Sequence, residues 1–107
     1  MTTIRFERSH GRLAGFSCRG HSGYGTAGED IVCAAITSAI RLAECTINDV
    51  LRAGAPVTVD QTTAEITLTL SPTGKNRAES ERVLEGLLLY MRELSNENPT
   101  HLTVTEV

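Results

Sequence analysis

His21 and Cys33 are of the residue types that can together perform nucleophilic catalysis. A cysteine thiolate attacks carbonyl carbon, and a neighbouring imidazole can take the thiol proton and later give it to the leaving group. We predict that a helix begins with Asp30 as its N-cap, which places Cys33 in the first turn. Unpaired backbone N–H groups there would favour the thiolate and could bind the negative oxygen that develops during acyl transfer.

The same histidine could instead belong to a zinc site, because Cys18 and His21 have the spacing of a zinc-binding pair. Cys33 could join them only if Cys18 faces the loop. Cys45 could not, since a helix rising ~1.5 Å per residue separates it from Cys33 by roughly 18 Å. We expect no metal, and we expect Cys18 and Cys45 to be core residues, the commonest role of free cysteines.

A glycine-rich loop between the histidine and the cysteine offers a third interpretation. Residues 23–28 match the dinucleotide-binding pattern G-x-G-x-x-G. Glu29 and Asp30, however, would place two carboxylates where a pyrophosphate needs the positive end of a helix. A chain of 107 residues also lacks room for the second nucleotide-binding half. We therefore reject a dinucleotide cofactor.

We interpret the loop as a mobile substrate loop instead. Glycine has unusual backbone freedom, so ordering such a segment is costly. We expect the loop to close over a bound peptide and to carry His21 towards Cys33. Its candidate residues are Ser22, Gly23, Tyr24, Gly25 and Gly28.

The elements that must position these residues follow from the spacing of apolar side chains. Alternation predicts five strands and helical spacing predicts two helices. The result is an α+β single domain spanning residues 1–107, with two helices packed on a mixed β-sheet in the order β-β-α-β-β-α-β. The predicted strands are 3–7, 13–19, 57–60, 65–70 and 101–107, and the predicted helices are 30–51 and 76–94.

Three expectations concern packing. The apolar arc of the first helix, which includes Ile31 and Leu42, is broad enough that we expect this helix to be covered on more than one side. Val57 and Val59 should point inwards from their strand. The run 87–91, Leu-Leu-Leu-Tyr-Met, should lie in the core or in a dimer surface.

Composition and charge exclude several classes of protein. The net charge is −3, and ten Lys and Arg are scattered among thirteen acids, so we expect no direct nucleic-acid binding. The uncharged stretch around Cys33, Ile31 to Ile40, is too short to span a bilayer. The N-terminal segment has no apolar signal region. Three cysteines cannot all pair within the chain, and we expect a cytoplasmic protein with free thiols.

Two segments resemble the bacterial ribosomal-processing cysteine protease family. They are Gly20-His21-Ser22 and the run Asp30-Ile31-Val32-Cys33-Ala34-Ala35-Ile36-Thr37. The family pattern is a Gly-His-Ala or similar triplet, a loop, and then Asp-Ile-Val-Cys-Ala-Ala/Gly, with a serine one turn after the cysteine. Ser22 and Thr37 depart from it, although Thr37 keeps a hydroxyl one turn beyond Cys33.

The resemblance implies a small cysteine endopeptidase that removes the N-terminal extension of a large-subunit ribosomal protein. It implies His21 and Cys33 as the catalytic dyad, a homodimer and a mobile loop between the dyad residues. Asp30 and Thr37 are supporting candidates: Asp30 could orient His21 as the third member of a triad does, or it could only cap the helix. The alternative function is a non-catalytic peptide-binding or ribosome-assembly module of the same fold.

Overall fold

The regular elements follow one another in the order that the sequence predicts. The structure, a computed structural model, describes residues 1–20 and 27–107, and within the second range it describes side chains from residue 30 onward. A π-helical stretch, Thr46–Val50, continues the first helix. The elements are β1 (Thr2–Ser9), β2 (Arg12–Arg19), α1 (Ala27–Cys45), β3 (Val57–Asp60), β4 (Glu65–Thr69), α2 (Arg77–Glu97) and β5 (Leu102–Glu106).

The five strands form one mixed sheet in the order β3-β4-β2-β1-β5. Neighbouring strands are antiparallel except β1 and β5, which run parallel. The β1–β2 hairpin turns at His10 and Gly11, both of which have positive φ. Its register pairs Thr3 with Arg19, so the beginning of β1 lies beside the end of β2. At this end of the two strands the chain leaves β2 towards His21.

Both helices contribute to one hydrophobic core on the inward face of the sheet. Inward side chains alternate along β1, where Thr2, Ile4 and Phe6 are buried while Arg5 is exposed. Phe6 and Phe16 from the two central strands lie in ring contact, with centroids 6.1 Å apart. Alternation in the strands and helical spacing in the helices therefore predict the buried face correctly, and the α+β architecture is confirmed. The main helical contributions to this core are Ile36, Ile40, Ile47, Leu84, Leu88 and Met91.

Helix α1 begins at Ala27, three residues earlier than the sequence analysis places it. Asp30 is therefore the fourth helical residue and does not cap the helix, and Gly28 belongs to the first turn of the helix and not to the loop. The sequence does contain a signal for this start: Thr26 and Glu29 have the spacing of a capping box. Acidic residues in the first turn also suit the positive end of the helix dipole.

The expectation that other elements cover α1 on more than one side is wrong for the single chain. Ile31 and Leu42 are exposed at 70% and 69%. Within the run 87–91, Leu89 and Tyr90 are likewise exposed, while the other three residues are buried. Val59 is also exposed rather than inward, because β3 is an edge strand of the sheet that the described residues form.

Candidate active site

Cys33 lies on α1 above the beginning of β1. Its side chain is 6% exposed, and its Sγ lies 3.9 Å from Oγ1 of Thr2. Thr2 is itself 1% exposed and belongs to the central part of the sheet, between β2 and β5. Cys33 and Thr2 therefore form a polar contact at the boundary of the hydrophobic core.

The earlier start of α1 changes what the helix can offer to a substrate. The N–H groups that an α-helix leaves without intrahelical acceptors lie in its first turn, which here begins at Ala27. Cys33 is the seventh helical residue, so its own N–H is part of the helix hydrogen-bond ladder. The prediction that Cys33 lies in the first turn is therefore wrong by one turn. Helical N–H groups beside the sulfur are already bonded and are not available to a substrate oxygen.

Gly20 determines where the chain leaves the sheet next to this contact. Its φ is +82°, and a Cβ at this position would stand 2.4 Å from the carbonyl oxygen of Met1. Only glycine accepts this backbone angle without strain, and only a residue without a side chain fits this close approach. Gly20, which directly precedes His21 in the sequence, therefore lies against Met1, which directly precedes Thr2.

Only some of the other predicted site residues lie in the part of the chain that the structure describes. His21 and the loop residues Ser22, Gly23, Tyr24 and Gly25 lie outside the described residues, so the expected approach of His21 to Cys33 and the expected loop closure remain predictions. Asp30 is exposed and lies one turn before Cys33 on α1. Thr37 is half-buried and lies one turn after it. Helical spacing puts all three on one stripe of the helix.

Cys18 is a core residue, as predicted, at 2% exposed. Burial raises the pKa of its thiol to about 11, with smaller contributions from Cys33 and the Glu65 carboxylate. Zinc binds the thiolate form of cysteine, so a thiol that stays protonated at neutral pH is a poor ligand. Among residues 1–20 and 30–107, no group of three or more His, Cys, Asp or Glu side chains is placed to hold a metal ion.

Cys45 is exposed, and the prediction that it is a core residue is wrong. It lies two residues beyond buried Ala43 and two before buried Ile47, and at 3.6 residues per turn this spacing turns it away from the core. A hydrogen bond to the Asp49 carboxylate is the main reason why the pKa of the Cys45 thiol is raised. Exposure therefore favours reaction of the Cys45 thiol, whereas its raised pKa disfavours the reactive thiolate.

Selective alkylation distinguishes the three thiols. We expect brief treatment with iodoacetamide at neutral pH to modify Cys33 at least about tenfold faster than Cys45 or Cys18, because only a thiolate reacts. Cys18 is protonated and buried, and Asp49 disfavours the ionised form of Cys45. Peptide mapping by mass spectrometry measures the three rates. Predominant labelling of the exposed Cys45, or equal slow labelling of all three thiols, would contradict an activated Cys33.

Thr2 is the site residue that the sequence analysis missed. The available signal was the alternation of β1, because an inward face that includes Ile4 and Phe6 also includes position 2. The predicted strand begins at Thr3, which leaves Thr2 out of the pattern. The contact with Cys33 itself has no local signal, since 31 positions separate the two residues in the sequence.

A groove lies between the two helices. It has a volume of about 580 Å³, and we call it the α1–α2 groove. Leu42 and Tyr90, exposed at 69% and 44%, stand among the residues that line it. The lining residues are Ala35, Ser38, Ala39, Leu42, Ala43, Thr46, Val83, Gly86, Leu87 and Tyr90, none of which is charged.

Comparison with known proteins places this chain among proteases. A family model described as cysteine protease Prp matches residues 1–103. An essential ribosomal processing protease Prp from S. aureus, solved in complex with a substrate peptide, is 18% identical, with a TM-score of 0.89 and complete coverage of both chains. The S. aureus protease with a covalently linked product peptide is also 18% identical, with a TM-score of 0.85 over the whole of both chains.

SMU.848 from Streptococcus mutans has a similar structure too. It is 24% identical, with a TM-score of 0.90 that covers all of this chain and 94% of the other. At these identities the likeness shows a shared fold. No curated protein sequence matches the chain. Within the described part of the chain, neither helix combines the length and apolar character that crossing a bilayer requires.

Proposed function

The chain belongs to the family of cysteine protease Prp, and from this membership we propose that it is a cysteine endopeptidase. Its substrate is the N-terminal extension of a bacterial large-subunit ribosomal protein. The observation that carries the proposal is the family match over residues 1–103, which includes both Gly20-His21 and the run around Cys33. The name of the S. aureus relative, a ribosomal processing protease, supports the choice of substrate.

The chemistry is acyl transfer to sulfur. The Cys33 thiolate attacks the scissile carbonyl, and the tetrahedral intermediate collapses to a thioester as the C–N bond breaks. His21 accepts the thiol proton and gives it to the leaving amine, and a water molecule then hydrolyses the thioester. Nucleophile, proton carrier and water are sufficient, so the reaction needs no cofactor.

His21 is proposed as the base because of its place in the chain. It directly follows Gly20, which lies against Met1, and the next residue, Thr2, contacts Cys33. Gly20, the last described residue before His21, therefore stands near the strand residue that Cys33 contacts, and consecutive Cα atoms are only about 3.8 Å apart. Asp30, which does not cap α1, is the carboxylate one turn from the nucleophile and is proposed to orient the imidazole.

The negative oxygen of the intermediate needs hydrogen-bond donors. The helical N–H of Cys33 is used within α1, so the oxyanion is bound by donors outside the helix interior. Thr37, one turn after Cys33, carries a hydroxyl on the stripe of the helix that holds the nucleophile. It is proposed to support the site as a polar neighbour.

The partner is peptide rather than nucleic acid or membrane. With a net charge of −3, the chain lacks the positive charge that binding to a phosphate backbone requires. Recognition is therefore assigned to the protein part of the ribosome, and a substrate of this kind places the enzyme in the cytoplasm. An extended N-terminal segment would bind where Cys33 meets the sheet.

Turnover decides between the endopeptidase and a non-catalytic module of the same fold. The substrate is a synthetic peptide that spans the junction between the extension and the mature ribosomal protein, and a scrambled peptide is the control. The endopeptidase cuts the first peptide at one bond and leaves the second intact, while Cys33→Ser binds the first peptide uncut. Binding without cleavage by wild type and variant alike would favour the module.

The proposal includes a homodimer joined through the α1–α2 groove. Two-fold symmetry brings the same patch of both copies together, so Leu42 and Tyr90 of each copy can enter the groove of the other. The uncharged lining means that no like charges oppose this contact within the groove. The exposed part of Leu42 on α1, which the single chain leaves uncovered, would then be buried.

A charge placed in the groove should separate the copies. We expect Leu42→Glu to run as a monomer in size-exclusion chromatography with light scattering, at concentrations where the wild type is a dimer, because an unpaired buried carboxylate is costly. Val59→Glu is the matched control, since Val59 is 59% exposed on the edge strand β3 and away from the groove. A dimeric Leu42→Glu variant would exclude the groove as the interface, and a monomeric wild type would exclude the dimer.

A further inference from the structure

The hydroxyl of Thr2 is a polar group in an apolar setting. The residue is 1% exposed, and the inward positions that follow it on β1 are Ile4 and Phe6, both fully buried. A buried hydroxyl is costly unless it is hydrogen-bonded. Within the described part of the chain, its Oγ1 contacts the sulfur of Cys33 at 3.9 Å.

Packing alone does not explain a threonine here. Valine has the same shape and would fill the same space without burying a hydroxyl, and its strand propensity is at least as high. A buried polar group that an apolar residue of equal shape could replace is informative about function. The feature that the hydroxyl adds is its contact with the proposed nucleophile.

Thr2 is held rigidly by the backbone around it. Its N–H donates to the carbonyl oxygen of His101 at 2.9 Å, and its Cα pairs with Leu102 in the parallel β1–β5 ladder. On the other side, Gly20 closes against the carbonyl of Met1. A hydroxyl on such a strand keeps its place when the sulfur changes its charge, which is what a preorganised donor requires.

We propose that Thr2 is a positioning residue for Cys33. The Thr2 hydroxyl donates a hydrogen bond to the Cys33 thiolate and holds the sulfur in its reactive, ionised form. This inference rests on the proposed function, because it takes Cys33 as the nucleophile. With a neutral thiol, either atom can be the donor. A thiolate can only accept, so the bond then runs from Thr2 to sulfur and is strengthened by the charge.

Three titratable residues lie around the contact between Thr2 and Cys33. Asp30 lies one turn before Cys33 on α1, and its side chain is exposed. Cys18 on β2, with its pKa raised to about 11, stays neutral at neutral pH and does not oppose a negative charge on Cys33. His101 precedes β5 and holds the Thr2 backbone through its carbonyl. The Thr2 hydroxyl, 3.9 Å from the sulfur, is a neutral donor that needs no change of its own charge to act.

The test compares Thr2→Val, which keeps the shape, with Thr2→Ser, which keeps the hydroxyl. Thr3→Val is the control on the neighbouring, half-buried position of the same strand. All variants carry Cys45→Ser, which removes the exposed thiol. Two pH profiles are measured from pH 5 to 10: the iodoacetamide labelling rate of Cys33, and kcat/KM for the junction peptide.

We expect Thr2→Val to move the midpoint of both profiles upwards by about half to one pH unit, which is a three- to tenfold slower reaction at neutral pH. Thr2→Ser should restore the wild-type midpoint, and Thr3→Val should not move it. A role in packing alone would change Tm without moving the midpoint. If Thr2→Val proves unstable, Thr2→Ala provides the same comparison with the serine variant.

Two results would overturn the inference. One is a Thr2→Val profile that coincides with the wild-type profile. The other is a Thr2→Ser midpoint as displaced as that of Thr2→Val. Either can occur while the wild type cleaves peptide, in which case the proposed function survives. A wild type that cleaves no peptide and labels Cys33 slowly at every pH would remove the proposed function itself, and this inference with it.

Discussion

Replacing Cys33 with serine is expected to lower kcat/KM for peptide cleavage by at least about 10³-fold, the scale that removal of a catalytic nucleophile produces in hydrolases. A serine hydroxyl ionises far less readily than a thiol, and an imidazole arranged for sulfur activates it poorly. The substitution is nearly isosteric at a position that is 6% exposed, so the fold should persist. Cleavage is measured by chromatography of the junction peptide, and folding by the thermal midpoint Tm.

Cys45→Ser is the matched control for this prediction. It makes the same chemical change on the same helix, at an exposed position outside the site. We expect its kcat/KM to equal that of the wild type. A Cys33→Ser variant that retains more than a tenth of the activity would show that Cys33 is not the nucleophile.

The second large effect is expected at Gly20. Gly20→Ala forces a Cβ to within 2.4 Å of the Met1 carbonyl oxygen, at a φ of +82° that alanine also disfavours. The positive φ costs about 1–2 kcal/mol and the overpacking about 1–3 kcal/mol more. Since backbone and not a flexible side chain stands in the way, the beginning of β1 must shift. That shift carries Thr2 away from Cys33.

Gly11→Ala isolates the effect of the clash. Gly11 has nearly the same φ, +79°, but a Cβ there meets nothing within 4 Å. We expect Gly11→Ala to lose only the conformational part of the unfolding free energy and to keep full activity. Gly20→Ala should lose more free energy in urea unfolding, and its kcat/KM should fall at temperatures where it is still folded. Equal stability and activity in the two variants would contradict the close approach at Gly20.

The order of elements was predictable because each element carries its own periodicity. The strands β1 and β2 alternate, and the spacing of Leu84, Leu88 and Met91 marks one face of α2. The bounds of β3 are the ones predicted. The family was predictable because the run around Cys33 is specific in residue type and spacing.

The remaining differences between the predictions and the structure concern features that a local sequence pattern does not determine on its own. The predicted α1 begins at Asp30, although the Thr26 and Glu29 pair signals an earlier start, and the three-residue difference moves Cys33 from the first helical turn to the second. The exposure of Cys45 and Val59 depends on which side of an element is covered, and apolar character alone does not decide that. The Thr2–Cys33 contact joins a strand to a helix 31 positions away, so it becomes visible only in the folded chain.

The central claim is that Cys33 carries the acyl group during cleavage. It is tested most directly by rapid acid quenching of wild-type enzyme with the junction peptide, followed by intact-mass measurement and peptide mapping. The account predicts a transient thioester whose added mass equals the N-terminal fragment of the peptide and which maps to Cys33. Cleavage with no adduct under conditions that trap one, or an adduct on a different residue, would contradict it.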